Sequence, residues 1–396
     1  MTARTATPRT ARAINDRIAL DLLAAEGSMT AARLRELTGL SRPSVADLLG
    51  RLGRDGLVTV VGEAGEERRG PKARLYGLVA ERAHVAALDV RTGSVAFALA
   101  DLAGRTVDEG RLPVPAGTGG TVAATLDALD RALDAAGIDA LHTAVMGAPG
   151  LVDPATGALR PTGSLPGWHA ELLAALRSRH DGPVLLENEV NLAGIAEHRH
   201  GAVRDRDSFV LVWLGHGVGA AVVLDGALRR GASGGAGEIG FLPVPGTDGL
   251  PSAADCDGGF HALGASAAVR ALAAEHGLPV GAEAGAPAAE AVVRGAAAEP
   301  TGAAGAFLTA LAERVAVAIA GVAAVLDPGC VVLGGEIGRA GGRPLAERVA
   351  ARLRAVSPLD TEVRPATVTG SPVLAGALVT ALDAARRDLF GPDLIR

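Results

Sequence analysis

One stretch of the sequence constrains the fold more than any other. A short apolar run, 183–186, leads directly into Glu187, Asn188 and Glu189, and a helix-like segment, 190–199, follows at once. A strand that ends in polar residues before a helix is typical of an α/β protein, in which ligands bind just beyond the carboxyl ends of the strands. We therefore expect a carboxylate and an amide to meet a polar small molecule at this junction.

Composition limits the class of protein. A chain of 396 residues is too long for one ordinary core, so two or three domains are expected. With 48% hydrophobic and 21% charged residues, the chain should fold as a globular protein. Aromatic residues make up only 2%, which argues against aromatic platforms that stack on nucleic-acid bases. Cys256 and Cys330 give no disulfide framework and, on their own, no metal site.

The sequence also predicts the location of the protein in the cell. No run of about twenty uninterrupted apolar residues is present, so no membrane span is predicted. The first residues contain arginines but no apolar run before a cleavage site, and so do not resemble a secretory signal. We expect a cytoplasmic protein.

Charge is divided unevenly along the chain. Residues 1–80 contain 13 Arg and Lys against 9 Asp and Glu, a balance of +4, whereas the remainder has 25 against 35, a balance of −10. A small basic module joined to a large acidic one indicates that only the first meets nucleic acid.

The basic module has the pattern of three helices. Ile14, Ile18 and Leu22 recur at helical spacing and predict an amphipathic helix over 11–25. Thr30 is a candidate N-cap for a short second helix, which Gly39 ends. A third helix begins after Ser41, with Pro43 in its first turn, where the missing N–H costs little. Its buried stripe should contain Val45, Leu48, Leu49 and Leu52.

This order predicts a helix-turn-helix, in which the second helix of the motif enters the major groove and its first residues reach base edges. The candidate DNA contacts are Ser41, Arg42, Pro43 and Ser44, with Thr30 at the preceding cap. Arg42 could read a guanine. The alternative role for Arg42 is a phosphate contact.

A predicted strand over 57–61 and the following segment, GEAGEERRGPKARLYGLV, resemble a two-stranded wing. Arg68, Arg69, Lys72 and Arg74 lie near its tip, where an extended Gly70–Pro71 loop suits a minor groove. A solvated hairpin is the alternative. Residues 1–80 are thus predicted to form a winged helix-turn-helix domain, and residues 81–396 a second, larger module.

The larger module alternates strands, turns and helices from His84 onward, which predicts an α/β class. Strands are predicted over 85–90, 95–101, 140–146, 209–214, 219–224 and 330–333, and helices over 121–136 and 307–326. Several strands end in glycine-containing turns, which allow a backbone to approach a ligand closely.

Six segments in this order make the chain similar to the ROK family of repressors and sugar kinases, from about residue 84 to 390. They are GAPGLVD at 147–153, LPGW at 165–168, ENE at 187–189, GHGVG at 215–219, GASGGAGEIG at 231–240 and VVLGG at 331–335. The resemblance implies a two-lobed, actin-like or ribonuclease H-like sugar-kinase fold with sugar bound between the lobes. With the winged helix in front, the chain resembles a ROK transcriptional repressor.

The chain departs from the pattern of the family's kinases in the turn that binds the nucleotide. Those kinases carry an Asp-x-Gly-Gly-Thr turn for the phosphates of ATP, whereas this chain has Arg91 and Thr92 in place of the two glycines. A bulky side chain there should prevent the backbone from cradling phosphate. We therefore expect no ATP binding.

The position of the kinases' general base is also altered. The resemblance places that Asp at Glu189, which moves the carboxylate by one methylene, and a misplacement near 1 Å can cost about a hundredfold in rate. No catalytic residue is therefore predicted. Asn188 and Glu238 match sugar-binding positions, and Gly147 opens the GAPGLVD loop. The predicted ligand-binding residues are Gly147, Asn188, Glu189 and Glu238. The alternative is that these residues only cap helices and satisfy backbone groups.

The family's structural zinc is not expected here. The position of its histidine ligand is Phe241, and the cysteine-rich segment retains only Cys256, with His261 nearby. One Cys and one His do not make a four-ligand tetrahedral site. The sequence therefore predicts no metal and no cofactor.

Three hypotheses follow. The first is a repressor of carbohydrate-related genes, a homodimer or homotetramer that binds a double-stranded operator and senses a sugar or a sugar derivative. The second is a ROK-type sugar kinase with an accessory helical domain. The third is a DNA-binding dimer without an effector; a non-sugar ligand is a further alternative within the first.

Overall fold

The computed structural model describes residues 8–64, 73–114, 120–160, 166–247, 249–252, 258–281 and 285–391. Three of the basic residues predicted at the wing tip, Arg68, Arg69 and Lys72, lie outside the described residues, as does Cys256.

The N-terminal module consists of three helices and a small sheet. Its elements are α1 (Pro8–Glu26), β1 (Met29–Thr30), α2 (Ala31–Thr38), α3 (Arg42–Arg54), β2 (Val58–Ala64) and β3 (Ala73–Leu78). The antiparallel sheet has the order β1-β3-β2. Three helices followed by a β2–β3 hairpin form the arrangement of a winged helix-turn-helix.

Local capping explains where α2 and α3 begin and end. The Thr30 hydroxyl accepts a hydrogen bond from the Arg33 amide at 3.2 Å, and the Ser41 hydroxyl accepts one from the Ser44 amide at 3.3 Å. Gly39 ends α2 with a φ of 69°, a conformation that glycine adopts without a Cβ penalty. Both predicted caps and the predicted helix stop are confirmed. The predicted stripe of α3 is buried at Val45, Leu48, Leu49 and Leu52.

Two five-stranded sheets form the larger module. The first lobe comprises β4 (His84–Val90), β5 (Ser94–Asp101), β6 (Thr106–Pro113), α4 (Thr121–Ala136), β7 (Thr143–Ala148), α5 (Trp168–Arg179) and β8 (Val184–Asn188). Its sheet has the order β6-β5-β4-β7-β8. The β6-β5-β4 part is antiparallel, and β4, β7 and β8 are parallel.

The second lobe repeats this pattern of strands. Its order is β11-β10-β9-β12-β13, antiparallel on the side of β11 and parallel on the side of β13. The remaining elements are α6 (Glu189–His200), β9 (Phe209–Leu214), β10 (Val218–Leu224), β11 (Ala227–Leu228), α7 (His261–Gly264), α8 (Ser266–Glu275), α9 (Ala286–Ala298), α10 (Gly302–Leu326), β12 (Cys330–Gly334), α11 (Gly335–Val356), β13 (Glu362–Pro365) and α12 (Pro372–Phe390).

Each central strand is buried on both faces, which explains its nearly continuous apolar sequence. In β9, Phe209, Leu211 and Trp213 point to the layer between the sheets, and the alternate residues point to the outer helices α8–α11. In β4, Val85 and Ala87 point to the same inner layer. The inner layer contains α6 and α12, so these two helices join the lobes.

Helix α10 is the one described helix that is long and apolar enough, by length and composition, to cross a membrane. Half of its most apolar stretch is buried inside the molecule. Phe307, Leu311, Val315 and Ile319 belong to the core between α10 and the second sheet. A core helix passes the same test of length and composition, and the packing of α10 is that of a core helix.

The N-terminal module packs against the end of α12. Arg17 of α1 donates a hydrogen bond to the carbonyl of Gly391 at 2.7 Å, and its guanidinium lies 5.7 Å from the centre of the Phe390 ring. Ala19, Leu20 and Leu23 of α1 join the same apolar cluster as α6 and α12. The predicted boundary at residues 80 and 81 falls in a single 3-10 turn, Ala80–Arg82, and stays a prediction.

A buried carboxylate holds α6 to the segment that precedes α12. The side chain of Glu197 is 1% exposed. Its oxygens accept hydrogen bonds from the amides of Ala202 at 2.7 Å, Thr367 at 2.9 Å and Val368 at 2.8 Å. Buried amides require such acceptors, so one carboxylate satisfies three backbone groups of two loops.

Replacing this carboxylate should destabilise the fold. Glu197→Gln puts an amide group where backbone donors converge, and we expect it to lower the free energy of unfolding by roughly 2–4 kcal/mol. Urea denaturation followed by circular dichroism measures the change. Glu313→Gln, at an exposed position of α10, is the matched control and should stay within about 0.5 kcal/mol of the parent. Equal stability of the two variants would contradict the role of Glu197.

Candidate functional site

Three neighbouring strands of the first lobe end at the same level. Asp89 of β4 is opposite Gly147 of β7, and Gly147 is opposite Glu187 of β8. The next pair is Ala148 and Asn188. The carboxyl ends of parallel strands therefore bring two carboxylates and an amide to one edge of the sheet, as expected for a ligand site of an α/β protein. We call the space beyond this edge, between the two lobes, the cleft.

Asn188 caps α6 and also contacts the opposite loop. Its side-chain oxygen accepts hydrogen bonds from the amides of Val190 at 2.8 Å and Asn191 at 3.3 Å. Its Nδ2 donates to the carbonyl of Gly150 at 3.0 Å. An amide nitrogen carries two hydrogens, so one remains for a ligand beside the structural bonds. Its capping role is thus observed, whereas its predicted ligand contact stays a prediction.

Gly147 has a packing role that requires glycine. It is buried, and a Cβ there would lie 2.6 Å from Cδ1 of Leu192 and 2.8 Å from Cγ1 of Val373. These side chains belong to α6 and α12, so any larger residue would push both helices away from the strand. Contact of Gly147 with a ligand stays a prediction.

The buried carboxylate of Glu187 forms an ion pair across the cleft with the half-exposed Arg230. Its side chain is 6% exposed, and its Oε2 accepts hydrogen bonds from Nε of Arg230 at 2.7 Å and Nη2 at 2.6 Å. Its Oε1 accepts from Nδ2 of Asn191 at 2.9 Å. Arg230 follows β11 in the second lobe, so this pair joins the lobes.

A second arginine lies at the centre of the cleft. Arg91 donates from Nε to Oδ1 of Asp89 at 2.6 Å, and its Nη1 lies 3.7 Å from Oε1 of Glu336. Its guanidinium stands 5.3 Å from the centre of the Trp213 ring. Trp213 and Glu336 come from the second lobe, so Arg91 contacts both lobes at once. We name the residues around it, together with it, the Arg91 cluster: Asp89, Arg91, His169, Glu189, Trp213 and Glu336.

Glu189 is the most perturbed carboxylate of this cluster. Burial raises its pKa to about 7. Arg91 opposes this effect by attraction, whereas Asp89 and Glu336 add to it by repulsion. At neutral pH the carboxyl is therefore divided between its charged and neutral forms.

Several buried polar atoms of the cluster lack a hydrogen-bond partner among the described residues. They include Oε2 of Glu189 and Oε2 of Glu336. His169 is 0% exposed, and burial lowers its pKa to about 4, while contact with the backbone of Arg91 acts in the opposite direction. Buried polar atoms in folded proteins are nearly always hydrogen-bonded, so their concentration here indicates a place for a polar ligand or water.

Glu238 lies on a segment that crosses the cleft side of the second lobe. The glycines of this segment allow close approach: a Cβ at Gly237 would lie 1.9 Å from the carbonyl oxygen of Ala220, and one at Gly234 would lie 1.9 Å from that of Val152. Glu238 itself is exposed, and the protein around it raises the pKa of its carboxyl through desolvation. Its contact with a ligand stays a prediction.

The described residues at the position of the family's structural zinc do not fit a zinc ion. The Phe241 ring packs edge-on against the His261 ring, with centroids 5.3 Å apart. Nδ1 of His261 accepts a hydrogen bond from the Val218 amide at 3.3 Å. A Cβ at Gly240 would lie 2.1 Å from Nε2 of His261, so the imidazole is enclosed by packing. Within the described ranges, no group of three His, Cys, Asp or Glu side chains could hold a metal.

The predicted DNA-contacting residues lie together at the start of α3. Ser41, Arg42, Pro43 and Ser44 are all exposed, and among the described residues no carboxylate pairs with Arg42. Thr30 is half-buried and caps α2. The start of α3 therefore presents a free guanidinium beside the positive end of a helix dipole.

Sequence reasoning missed most of the Arg91 cluster. Arg91 was read only as an obstruction to phosphate, and Glu336, Trp213 and His169 were not singled out. Glu336 follows the strand-terminal glycines Gly334 and Gly335 at the start of α11. A polar residue directly after a strand is the signal that identified Asn188 and Glu189, and it could have identified Glu336 as well.

Because the pKa of Glu189 is raised, we predict that replacing its carboxyl by a neutral amide changes the free energy of unfolding in a pH-dependent way. Because the folded protein holds this proton more tightly than the unfolded chain, ionisation of Glu189 costs stability as the pH rises from about 4.5 through 7. Glu189→Gln should match the parent at about pH 4 and exceed its free energy of unfolding at pH 8 by up to roughly 3 kcal/mol. Urea denaturation at both pH values measures this. Glu171→Gln, an exposed change on α5, is the control, and the same difference at both pH values for Glu189→Gln would contradict the assignment.

Comparison with known proteins finds sequence relatives among sugar kinases and transcriptional regulators. The chain is 29% identical over 199 residues to a glucokinase of Halalkalibacterium halodurans, covering 48% of this chain and 58% of the relative. It is 27% identical over 225 residues to the transcriptional dual regulator NagC of Escherichia coli, covering 55% of this chain and 54% of the relative. The chain thus spans little more than half the length of these curated relatives.

Two solved structures share the fold. A ROK family transcriptional regulator, described as a homolog of the E. coli MLC protein, aligns with a TM-score of 0.74 and 21% identity over 96% of this chain and 98% of its own. A ROK hexokinase from Thermus thermophilus aligns with a TM-score of 0.61 and 27% identity over 76% of this chain and 99% of its own. The regulator's fold thus extends over nearly all of this chain, whereas the hexokinase matches about three quarters of it.

The family model described as ROK family matches residues 85–384, which is about three quarters of the sequence. The resemblance first indicated by six short segments is therefore confirmed across both lobes. This chain belongs to the ROK family.

Proposed function

We propose that this protein is a sequence-specific DNA-binding transcriptional regulator, acting as a repressor of carbohydrate-related genes, whose ROK domain binds a sugar or a sugar derivative in the cleft. The observation that carries the proposal is Arg42 at the exposed start of α3, which pairs with no carboxylate among the described residues, in a module that packs on the ROK domain. A kinase needs no such module, and the hexokinase match leaves about a quarter of this chain uncovered.

The surface of the N-terminal module supports DNA as the partner. Within the part of the ROK domain that the structure describes, the residues that begin α3 have no hydrogen-bond or ion-pair partner, and Arg51 and Arg33, farther from that start, are paired with carboxylates. Arg42, in the first turn of this helix, is therefore placed to reach a base edge. The amides of the first turn of α3 suit a backbone phosphate.

The cleft supports a polyhydroxylated effector. A hydroxyl both donates and accepts hydrogen bonds, which matches the remaining Asn188 hydrogen and the unpartnered oxygens of Glu189 and Glu336. A ligand that draws these groups together would favour one arrangement of the lobes over another.

A continuous set of contacts leads from the cleft to the DNA-binding module. Glu189 begins α6, which packs along α12, and Arg17 of α1 is bonded to the carbonyl at the end of α12. The backbone at residues 77–84 is the second connection. A shift of the lobes would therefore reach α1 through α12 and change the placement of α3.

The cluster around Arg91 argues against nucleotide binding. The Arg91 amide already donates to the carbonyl of Ser94 at 2.8 Å, so it is not free to cradle a phosphate. The guanidinium is bonded to Asp89. We infer that the protein is not an enzyme.

One observation favours the alternative, a ROK-type sugar kinase. A carboxylate with a pKa of about 7 is suited to act as a general base near neutral pH, and Glu189 has that property. A coupled assay for ADP in the presence of ATP, magnesium and a panel of aldoses decides between the two. We expect no sugar-dependent ADP release; release that Glu189→Gln abolishes would establish the kinase instead.

Further expectations complete the proposal. Because Phe241 and His261 pack against each other, we infer that the chain needs no zinc or other cofactor. A homodimer or homotetramer would present two α3 helices to a palindromic operator. A cytoplasmic location fits contact with DNA.

Arg42→Ala should remove specific DNA binding. A bidentate contact to a base contributes about 1–3 kcal/mol, so we expect at least about a fivefold loss of affinity for a duplex from the gene's own upstream region, measured by fluorescence anisotropy. Affinity for a scrambled duplex should change less. Arg294→Ala, which removes the same charge from an exposed site on α9, is the control. Unchanged affinity of Arg42→Ala would show that α3 is not the recognition helix.

A further inference from the structure

We propose that the cleft selects a polyhydroxylated ligand that carries no phosphate or other anionic group, namely a free sugar or an amino sugar. This inference rests on the proposed function and adds to it the chemical class of the effector. The arrangement of charges and hydrogen-bond acceptors in the Arg91 cluster carries it.

Negative charge exceeds positive charge around Arg91. Asp89 lies 2.6 Å and Glu336 lies 3.7 Å from its guanidinium, and Glu189 is close enough to interact with all three. Asp89 and Glu336 alone outnumber the single guanidinium, and the charged fraction of Glu189 adds to this negative balance. In a site partly removed from water, this excess repels an anion and attracts a cation.

The two arginines of the cleft are already committed to carboxylates. Arg91 is bonded to Asp89, whose side chain is 10% exposed, and Arg230 is bonded to Glu187, whose side chain is 6% exposed. A phosphate that recruited either guanidinium would leave a buried carboxylate without its partner. Removing one partner of a buried ion pair is strongly unfavourable, so neither arginine is free to bind an anion.

The vacant hydrogen-bond positions require donors. Oε2 of Glu189 and Oε2 of Glu336 are buried and have no partner among the described residues. Ionised carboxylates only accept hydrogen bonds, and this applies to the fraction of Glu189 that is charged at neutral pH. Sugar hydroxyls and ammonium groups supply donors to them, whereas the oxygens of a phosphate dianion are themselves acceptors.

Within residues 81–391, the segments outside the described residues add no basic side chain, and the one basic residue beyond them is Arg396. Residues 115–119, 161–165, 248, 253–257 and 282–284, which lie outside the described residues, contain no Arg or Lys. They contain the acidic residues Asp248, Asp255, Asp257 and Glu283. Their sequence therefore offers nothing that would offset the negative charge of the cleft.

One exposed cation, Arg339, could instead bind the phosphate of a phosphorylated ligand. Arg339 lies one helical turn beyond Glu336 on α11 and donates from Nη1 to the carbonyl of Gly370 at 2.9 Å. No carboxylate pairs with it among the described residues. A phosphorylated ligand would have to bind this exposed residue.

The test compares matched ligands on the full-length protein at pH 7.5. For each of glucose, mannose and galactose, isothermal titration calorimetry gives the Kd of the free sugar, its 2-amino form and its 6-phosphate. We expect at least one series to bind, and within it the 6-phosphate to bind at least tenfold more weakly than the free or amino sugar. A 6-phosphate that binds as tightly as the free sugar, with affinity lost in Arg339→Ala, would overturn the inference and leave the proposed function standing.

Failure to bind any member of the three series would instead contradict the carbohydrate effector itself, and the inference with it. A substitution then checks the cause of the selectivity. Glu336→Gln should lower the ratio of the Kd of the 6-phosphate to the Kd of the free sugar, because it removes one negative charge from the cluster. Glu347→Gln, at an exposed position of the same helix, should leave that ratio unchanged. An unchanged ratio in Glu336→Gln would show that the charge of the cluster does not set the selectivity.

Discussion

The guanidinium of Arg91 is enclosed by carboxylates and an indole that come from both lobes, and much of the cleft depends on it. It offsets the charge of Asp89, limits the rise in the pKa of Glu189 and reaches Glu336 and Trp213 across the cleft. A cation fixed in the protein thus stands where the resemblance places the phosphates of a nucleotide. The lobes of this chain meet through their own side chains, with a second ion pair, Glu187–Arg230, across the same cleft.

The two sheets have the same strand pattern, and the helices between them, α6 and α12, connect their movement to the N-terminal module. Glu197 fixes α6 to the segment before α12 through three backbone amides. Gly147 allows both helices to pack directly on β7. A change at the first turn of α6 is therefore transmitted through tightly packed elements, which rearrange between discrete states rather than deform continuously.

Features set by local sequence could be predicted, and features set by distant contacts could not. The caps Thr30 and Ser41, the stop at Gly39 and the helix Thr121–Ala136 depend on neighbouring residues, and their predictions are confirmed. The short strand β1 and the exposed strand β6 have weak apolar patterns and were not predicted. The bond from Ser371 to Asp89 joins residues 282 positions apart, and the Glu187–Arg230 bond spans 43, so no local pattern reveals them. Family resemblance located the cleft, but its charge balance became evident only when these residues were brought together.

The central claim is that occupancy of the cleft controls DNA affinity. The most direct measurement titrates the full-length protein into a labelled duplex from its own upstream region, by fluorescence anisotropy, with and without a saturating free or amino sugar that binds the protein. Coupled sites typically change each other's affinity by about 5- to 150-fold, and the change is reciprocal. We predict a change of at least about fivefold in the Kd for DNA, and an equal change in the Kd for the sugar when DNA is bound. A sugar that binds the cleft and leaves the Kd for DNA unchanged would contradict the account.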